Sequence, residues 1–206
     1  MIQVLGRANS INVQKVMWCA AELGVAVERV DVGMHFGGND TPEYLAKNPT
    51  GLIPTLVDGD FTVWESNVIV RYLADKYGTG TWAAATPEAR AINGQWMDWF
   101  IHFLHPNIGT VFRTLVRTPE AERDMAAVAR AVAAGNKAWT LLDATLAKTP
   151  YLGGEAPGTG DIPAGCAVYR WYNMAIERPK LANVEAWYAR LQTRPAYKEH
   201  VMMPLT

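Results

Sequence analysis

Two short stretches carry residues whose types and spacing suit the capture of a small peptide. The first is Asn48-Pro49-Thr50-Gly51-Leu52-Ile53-Pro54, running into the apolar Thr55-Leu56-Val57. The second is Trp64-Glu65-Ser66-Asn67. Within a strand Pro54 would remove a ladder hydrogen bond, so it belongs at the strand's entrance, where a cis Ile53–Pro54 bond is expected. The N–H and C=O of Ile53 then face outward and can pair with an extended peptide as an added strand. Glu65-Ser66 opens a helix, and the exposed amides and dipole of a helix start favour an anion. A backbone clamp beside an anion site fits a small peptide with a free carboxylate.

The elements that must hold these residues follow from the pattern. Ile53 to Val57 and Phe61 to Trp64 read as two strands joined at Asp58-Gly59, a strong hairpin signal. A helix over 65–77 follows, with Val68, Ile69, Tyr72 and Leu73 inward, stopped by Gly78 and Gly80. Upstream, Ile2 to Gly6 is a strand. From Asn12 a helix places Val13, Val16, Met17, Ala20 and Leu23 on one face and ends at Gly24. Val25 to Val32 is a second strand, which makes a parallel, right-handed βαβ unit. Thr41-Pro42-Glu43 caps a short helix reaching Lys47. Residues 1–79 are therefore one domain, βαβ, a short helix, then ββα. Residues 80–86 are a linker. From Thr86-Pro87-Glu88 onward strand signals vanish, and 87–206 reads as all-helical. Its helices are expected over 87–117, 119–148, 161–176, 183–193 and 195–201, with breaks at Thr118-Pro119, Thr149-Pro150, Arg178-Pro179 and Arg194-Pro195.

The 206 residues are half hydrophobic and carry 19 basic against 20 acidic side chains, a net charge of −1. That balance gives no electrostatic case for nucleic acid or an anionic membrane. No apolar run approaches the roughly 20 residues that span a bilayer, and the N-terminus has no signal-peptide pattern. Cys19 and Cys166 have no metal-type spacing, no metal is expected, and a reducing cytoplasm is the expected location.

The order and spacing of these motifs resemble the cytosolic glutathione transferase family over the whole chain. The resemblance implies a thioredoxin-like N-terminal domain followed by an all-helical domain. Residues 48–54 resemble the family's cis-proline loop. Glu65-Ser66 resembles the pair that grips the ammonium and carboxylate of the γ-glutamyl end of glutathione. Ala8-Asn9-Ser10-Ile11-Asn12-Val13 resembles a serine motif of phi-like classes. Gly160-Asp161-Ile162 resembles a buried aspartate at the start of a long C-terminal-domain helix, a structural feature. The implied co-substrate is glutathione, and the implied assembly is a homodimer.

On that resemblance Ser10 is the candidate for activating the thiol. Glutathione's thiol, with a pKa of about 8.5, is mostly protonated at pH 7, and the thiolate is the nucleophile. Lowering that pKa by two units takes about 2.7 kcal/mol. A hydrogen bond to a charged group supplies roughly 1.5–3 kcal/mol, and a helix N-terminus adds a few tenths to about one. A hydroxyl donor at the helix start is thus sufficient without a general base. The alternatives are that Ser10 only caps its helix, and that Asn12, as in some bacterial relatives, contacts the sulfur. The glycine end of glutathione is less well served. Asn39 and Asp40 stand where phi-like members carry a basic pair, and Leu52 where they often carry a polar side chain. Asn39 can still donate a hydrogen bond, whereas Asp40 would repel a carboxylate. His35 and the Gly37-Gly38 backbone are the other groups in reach. A Ser or Thr expected three residues before Asp161 is replaced by Gly158, with Thr159 one later.

Cys19 and Cys166 fall in apolar helices and are expected to be inert, which argues against cysteine-dependent relatives. The helical domain is rich in aromatics, and Trp99 and Phe103, four apart on one face, are the candidates for an apolar electrophile pocket. The expected activity is conjugation of the glutathione thiolate to an apolar electrophile, in the manner of detoxification. The alternatives are glutathione-dependent dehalogenation, isomerisation or disulfide reduction, and a non-catalytic binding scaffold.

Overall fold

The computed structural model describes residues 1–206. The chain forms two compact units: Met1–Ala84 with Ala196–Met203, and Ala85–Pro195 with Pro204–Thr206.

The first unit is built on a four-stranded sheet. The strands are β1 (Ile2–Leu5), β2 (Val27–Val30), β3 (Thr55–Asp58) and β4 (Phe61–Trp64), in the order β2-β1-β3-β4. β1 runs parallel to β2 and antiparallel to β3, with Leu5 opposite Thr55, and β3 pairs antiparallel with β4. The crossover helix α1 (Ile11–Glu22) gives the expected βαβ unit. β3 begins at Thr55 rather than Ile53, because Pro54 has no N–H to donate to a ladder. The Ile53–Pro54 bond is cis. The short helix α2 (Pro42–Leu45) is capped by Thr41, whose hydroxyl accepts from the Tyr44 N–H.

Burial departs from the sequence pattern in two helices. In α3 (Ser66–Tyr77) Val68 is 42% exposed, while Ser66, Asn67, Ile69, Val70, Leu73 and Ala74 are buried. The inward stripe follows positions 66, 69, 70, 73 and 74, which leaves Val68 outside it. α1 buries more than one stripe: Trp18, Cys19, Gln14 and Lys15 join Val13, Val16 and Ala20, while Met17 is only half-buried. α3 packs on α1 from one side. From another side comes the segment after residue 195, expected to belong with the helical domain. Within it Tyr197, on α9 (Pro195–His200), meets Trp18 edge to face at 4.8 Å, and Gln14 Nε2 lies 3.5 Å from Met203 Sδ.

The second unit is all helical. Its elements are α4 (Pro87–Trp99), α5 (His105–Phe112), α6 (Met125–Leu146), α7 (Asp161–Tyr172) and α8 (Ala182–Gln192). The long helix expected over 87–117 is interrupted by π-type turns at Phe100–Leu104 and Arg113–Arg117. Pro106 lies at the start of α5; its ring obstructs the carbonyl four residues earlier and it donates no N–H, which fits a local widening of the helix. Asp161 is fully buried. Its Oδ1 accepts from the Leu152 N–H (3.0 Å) and the Trp187 indole (2.9 Å), and its Oδ2 from the Gly158 N–H (3.0 Å). The structure also accounts for Gly158: a Cβ there would stand 2.7 Å from Asn93 Oδ1. Asn93 is itself buried and accepts the Gly160 N–H at 2.8 Å. The side chain of Asn93 occupies the room that a serine or threonine at 158 would need.

Candidate functional site

The site grows from the loop that leads into β3. Asn48 is buried and works in two directions. Its Nδ2 donates to the Leu52 carbonyl (2.8 Å) and Thr55 Oγ1 (3.0 Å), and its Oδ1 accepts from the Thr50 N–H (3.1 Å) and hydroxyl (2.6 Å). Tyr44 reaches in from α2, donates to the same Leu52 carbonyl (2.5 Å) and shares a hydrogen bond with Thr55 Oγ1 (2.9 Å). Burial pushes the Tyr44 phenol up, so it stays protonated as a donor. The loop is therefore cross-braced, and the next residue along is Ile53. No hydrogen bond within the chain engages the Ile53 N–H or C=O. That is the arrangement an added peptide strand requires.

Gly6 keeps this loop close to α1. A Cβ on Gly6 would lie 2.6 Å from Val13 Cγ2 and 3.2 Å from Ile53 Cβ, so only glycine lets the end of β1 pass between them.

Glu65 sits at the entrance to α3 with φ +70° and ψ 110°, a backbone state that costs a non-glycine residue on the order of 1–3 kcal/mol. Its side chain makes no capping bond to α3, so helix capping does not account for it. Such strain concentrates at ligand clamps. Ser66 is buried, and its hydroxyl donates to Asn12 Oδ1 at 3.3 Å. Together Asn12, Asn48, Thr50, Leu52, Ile53, Pro54, Trp64, Glu65 and Ser66 line one pocket.

Ser10 stands at the N-cap of α1, 8% exposed, in an extended backbone conformation. Its hydroxyl makes no capping bond to the helix, so the reading in which Ser10 serves only as a cap finds no hydrogen bond to rest on. Asn12, two residues on, lines the pocket. Its Oδ1 accepts from both Lys15 Nζ (3.0 Å) and Ser66, which leaves the two Nδ2 hydrogens for another acceptor. The sequence gives Lys15 no signal beyond its place three residues after Asn12, on the same side of a helix.

Against this geometry, residues 2–75 match a family described as Glutathione S-transferase, N-terminal domain. Over its full length the chain is 39% identical to glutathione S-transferase GstB of Escherichia coli strain K12, with all of both chains covered. The chain belongs to the glutathione S-transferase family. It is also 31% identical to glutathione S-transferase 3 of Zea mays over 97% of this chain and 93% of that one. Among solved structures it resembles the theta class glutathione S-transferase of Xanthomonas axonopodis pv. citri with glutathione bound. The TM-score is 0.96 and the identity 49%, over 100% of this chain and 99% of that one.

In this family member the remaining sequence-predicted residues are distributed as follows. Asn39 is half-buried and spends an Nδ2 hydrogen on the Gly51 carbonyl at 2.8 Å, which ties down the loop before Leu52. Leu52 is 65% exposed. Asp40 and His35 are exposed, and the His35 ring lies tilted against Phe36 at 3.9 Å between centroids. Cys19 and Cys166 are fully buried free thiols, and burial pushes the Cys19 thiol far up, out of reach of a thiolate role. In the helical unit Trp99 stacks with Phe103 at 6.1 Å, and Phe103 is 56% exposed. Neither lines the apolar cavity of about 500 Å³ in that unit, which is walled by Leu115, Val128, Val132 and Ile176 among others. No helix is long and apolar enough to cross a membrane.

Proposed function

We propose that the protein is a glutathione transferase that conjugates the glutathione thiolate to an apolar electrophile, a detoxifying reaction carried out by a cytoplasmic homodimer. The observation that carries this reading is the convergence of Asn12, Leu52, Ile53, Pro54, Glu65 and Ser66 on one pocket. Glutathione lies extended along Ile53, whose N–H and C=O pair with its cysteinyl backbone. Glu65 takes the γ-glutamyl ammonium and Ser66 the carboxylate. The sulfur then falls near the start of α1, where the Ser10 hydroxyl and the Asn12 amide are the donors that favour S⁻ over SH. No proton acceptor is needed beyond water, because the thiol loses its proton to solvent as the thiolate is stabilised. Asn39 and Leu52 border the glycine end. Trp99 and Phe103 offer the electrophile an apolar face. The bound geometry contributes orientation, and the donors contribute electrostatic stabilisation.

One observation favours a second reading, a glutathione-binding scaffold without turnover. An amide hydrogen of Asn39 is committed to Gly51, and Asp40 brings no positive charge, so the glycine carboxylate meets a poor partner set. Calorimetry with millimolar glutathione, followed by turnover with an aryl halide and a wider electrophile panel, separates the two. Binding with turnover is the expected result. Binding without turnover on any electrophile supports the scaffold, and no binding overturns both.

A further inference from the structure

Lys15 is the buried group that the transferase reading leaves without a task. It is 2% exposed, although it sits on α1 one turn from the helix start. Its Nζ lies against two of the side chains that line the pocket, Asn12 and Ser66. Nζ donates to Asn12 Oδ1 at 3.0 Å, to Ser66 Oγ at 3.4 Å and to Asn67 Oδ1 at 3.5 Å. These three acceptors come from two helices, α1 and the first turn of α3, so the lysine bridges the two. Ser66 is the residue assigned to the γ-glutamyl carboxylate, and the inference rests on that reading.

We propose that Lys15 is a positioning residue for glutathione: its buried ammonium lies behind Ser66 and attracts the γ-glutamyl carboxylate onto the Ser66 hydroxyl. A hydroxyl alone is a neutral donor. With a cation against its oxygen, the O–H is polarised, and when it turns from Asn12 Oδ1 to a bound carboxylate it is a stronger donor to that anion. The charge also acts directly. Removed from water, it is less screened than a surface lysine, so its attraction for a carboxylate beyond Ser66 amounts to at least about tenfold in affinity. The selectivity that follows is for the carboxylate and not for the neighbouring ammonium, which a cation in this place opposes.

The test uses three ligands measured by calorimetry on the full chain. They are glutathione, 4-aminobutanoyl-Cys-Gly, which lacks the γ-glutamyl carboxylate, and glutaryl-Cys-Gly, which keeps it and lacks the amine. Lys15→Met is expected to weaken glutathione and glutaryl-Cys-Gly by about tenfold or more and 4-aminobutanoyl-Cys-Gly by less than about twofold. Lys15→Arg is expected to recover most of the loss. Equal weakening of all three ligands, or none, overturns the proposal, because a merely structural lysine would not distinguish them. If circular dichroism shows Lys15→Met unfolded, Asn67→Asp replaces it. That variant keeps the lysine and sets a carboxylate against its Nζ, and the same pattern of losses is expected and the same uniform loss overturns. Ser66→Ala run alongside separates the two claims. If Ser66→Ala spares only the carboxylate-free ligand while Lys15→Met does not, Lys15 alone is excluded. If Ser66→Ala weakens all three ligands equally, the Ser66 assignment fails and the proposal with it.

Discussion

The side-chain amide of Asn48 donates to the carbonyl of Leu52 at 2.8 Å, and through that one bond it fixes the peptide unit from which Ile53 projects. The same carbonyl accepts from Tyr44, and both side chains also reach Thr55 Oγ1. The proposed clamp for the peptide is thus a backbone held by side chains behind it. Asn48→Ala removes two donors and the acceptor for Thr50 at a buried position. It should cost about 1–3 kcal/mol of stability. Steady-state kinetics should show KM for glutathione rising several-fold with a smaller change in kcat. A fall in kcat at unchanged KM would place the effect elsewhere.

Ser10 and Asn12 are separated by two measurements on the same variants. Ser10→Ala should return the pKa of the bound thiol towards the free value of about 8.5, read from thiolate absorbance, and lower kcat/KM near pH 6.5 by about tenfold or more. Its melting temperature should barely change, because the hydroxyl caps nothing; a true cap would cost about 1 kcal/mol. If instead Asn12→Ala moves the thiol pKa and Ser10→Ala does not, the Asn12 amide is the sulfur's partner.

Gly158 and Asn93 share one space. Gly158→Ser should destabilise the helical unit by about 1–3 kcal/mol, since its Cβ would meet Asn93 Oδ1 at 2.7 Å. Asn93→Ala should also be destabilising, because the Gly160 N–H loses its acceptor. The double variant should cost clearly less than the two single losses added, and denaturant melts measure that coupling. Additive losses would mean that the two residues do not compete for the space.

Asp58 ties the β3–β4 turn to α3. Its Oδ2 accepts from Tyr72 (2.8 Å), Tyr77 (2.8 Å) and Lys76 Nζ (2.7 Å). The bond from Lys76, with help from Tyr72, holds the Asp58 carboxyl down to about 2 from an ordinary 3.8. The folded chain therefore releases this proton more readily than the unfolded one. The stabilisation is complete above about pH 5 and is lost as pH falls from there through 2. Asp58→Asn should melt at lower temperature than the parent at pH 7, and the gap should close as the pH approaches 2. A gap that persists unchanged at low pH would show that charge is not what Asp58 contributes.

Much of the first unit is legible because its signals are local. Thr41-Pro42-Glu43 marks a cap, Asp58-Gly59 a turn, and Pro54 the limit of a strand, each through a constraint within a few residues of chain. The site's outline is legible for the same reason: Ile53, Pro54, Glu65 and Ser66 belong to contiguous motifs. What is not legible depends on distant packing. Tyr44 and Asn48 look like ordinary residues of a short helix and loop until they converge on Leu52. Lys15 looks like a surface lysine until α3 and the segment after residue 195 cover α1. Val68 carries the right chemistry for burial but falls off a stripe whose phase is set by Ser66 and Asn67. Gly158 departs from the family pattern for a reason that lies 65 residues upstream, at Asn93.

The return of residues 196–203 to the first unit has a bearing on how the protein is made. Trp18 is wholly shielded in the finished fold, in part by Tyr197. During translation the sheet and α1 are synthesised first, yet that side of α1 stays uncovered until the whole helical unit has emerged from the ribosome. The first unit is thus begun early and completed last, and the face of Trp18 that meets Tyr197 waits for the end of the chain.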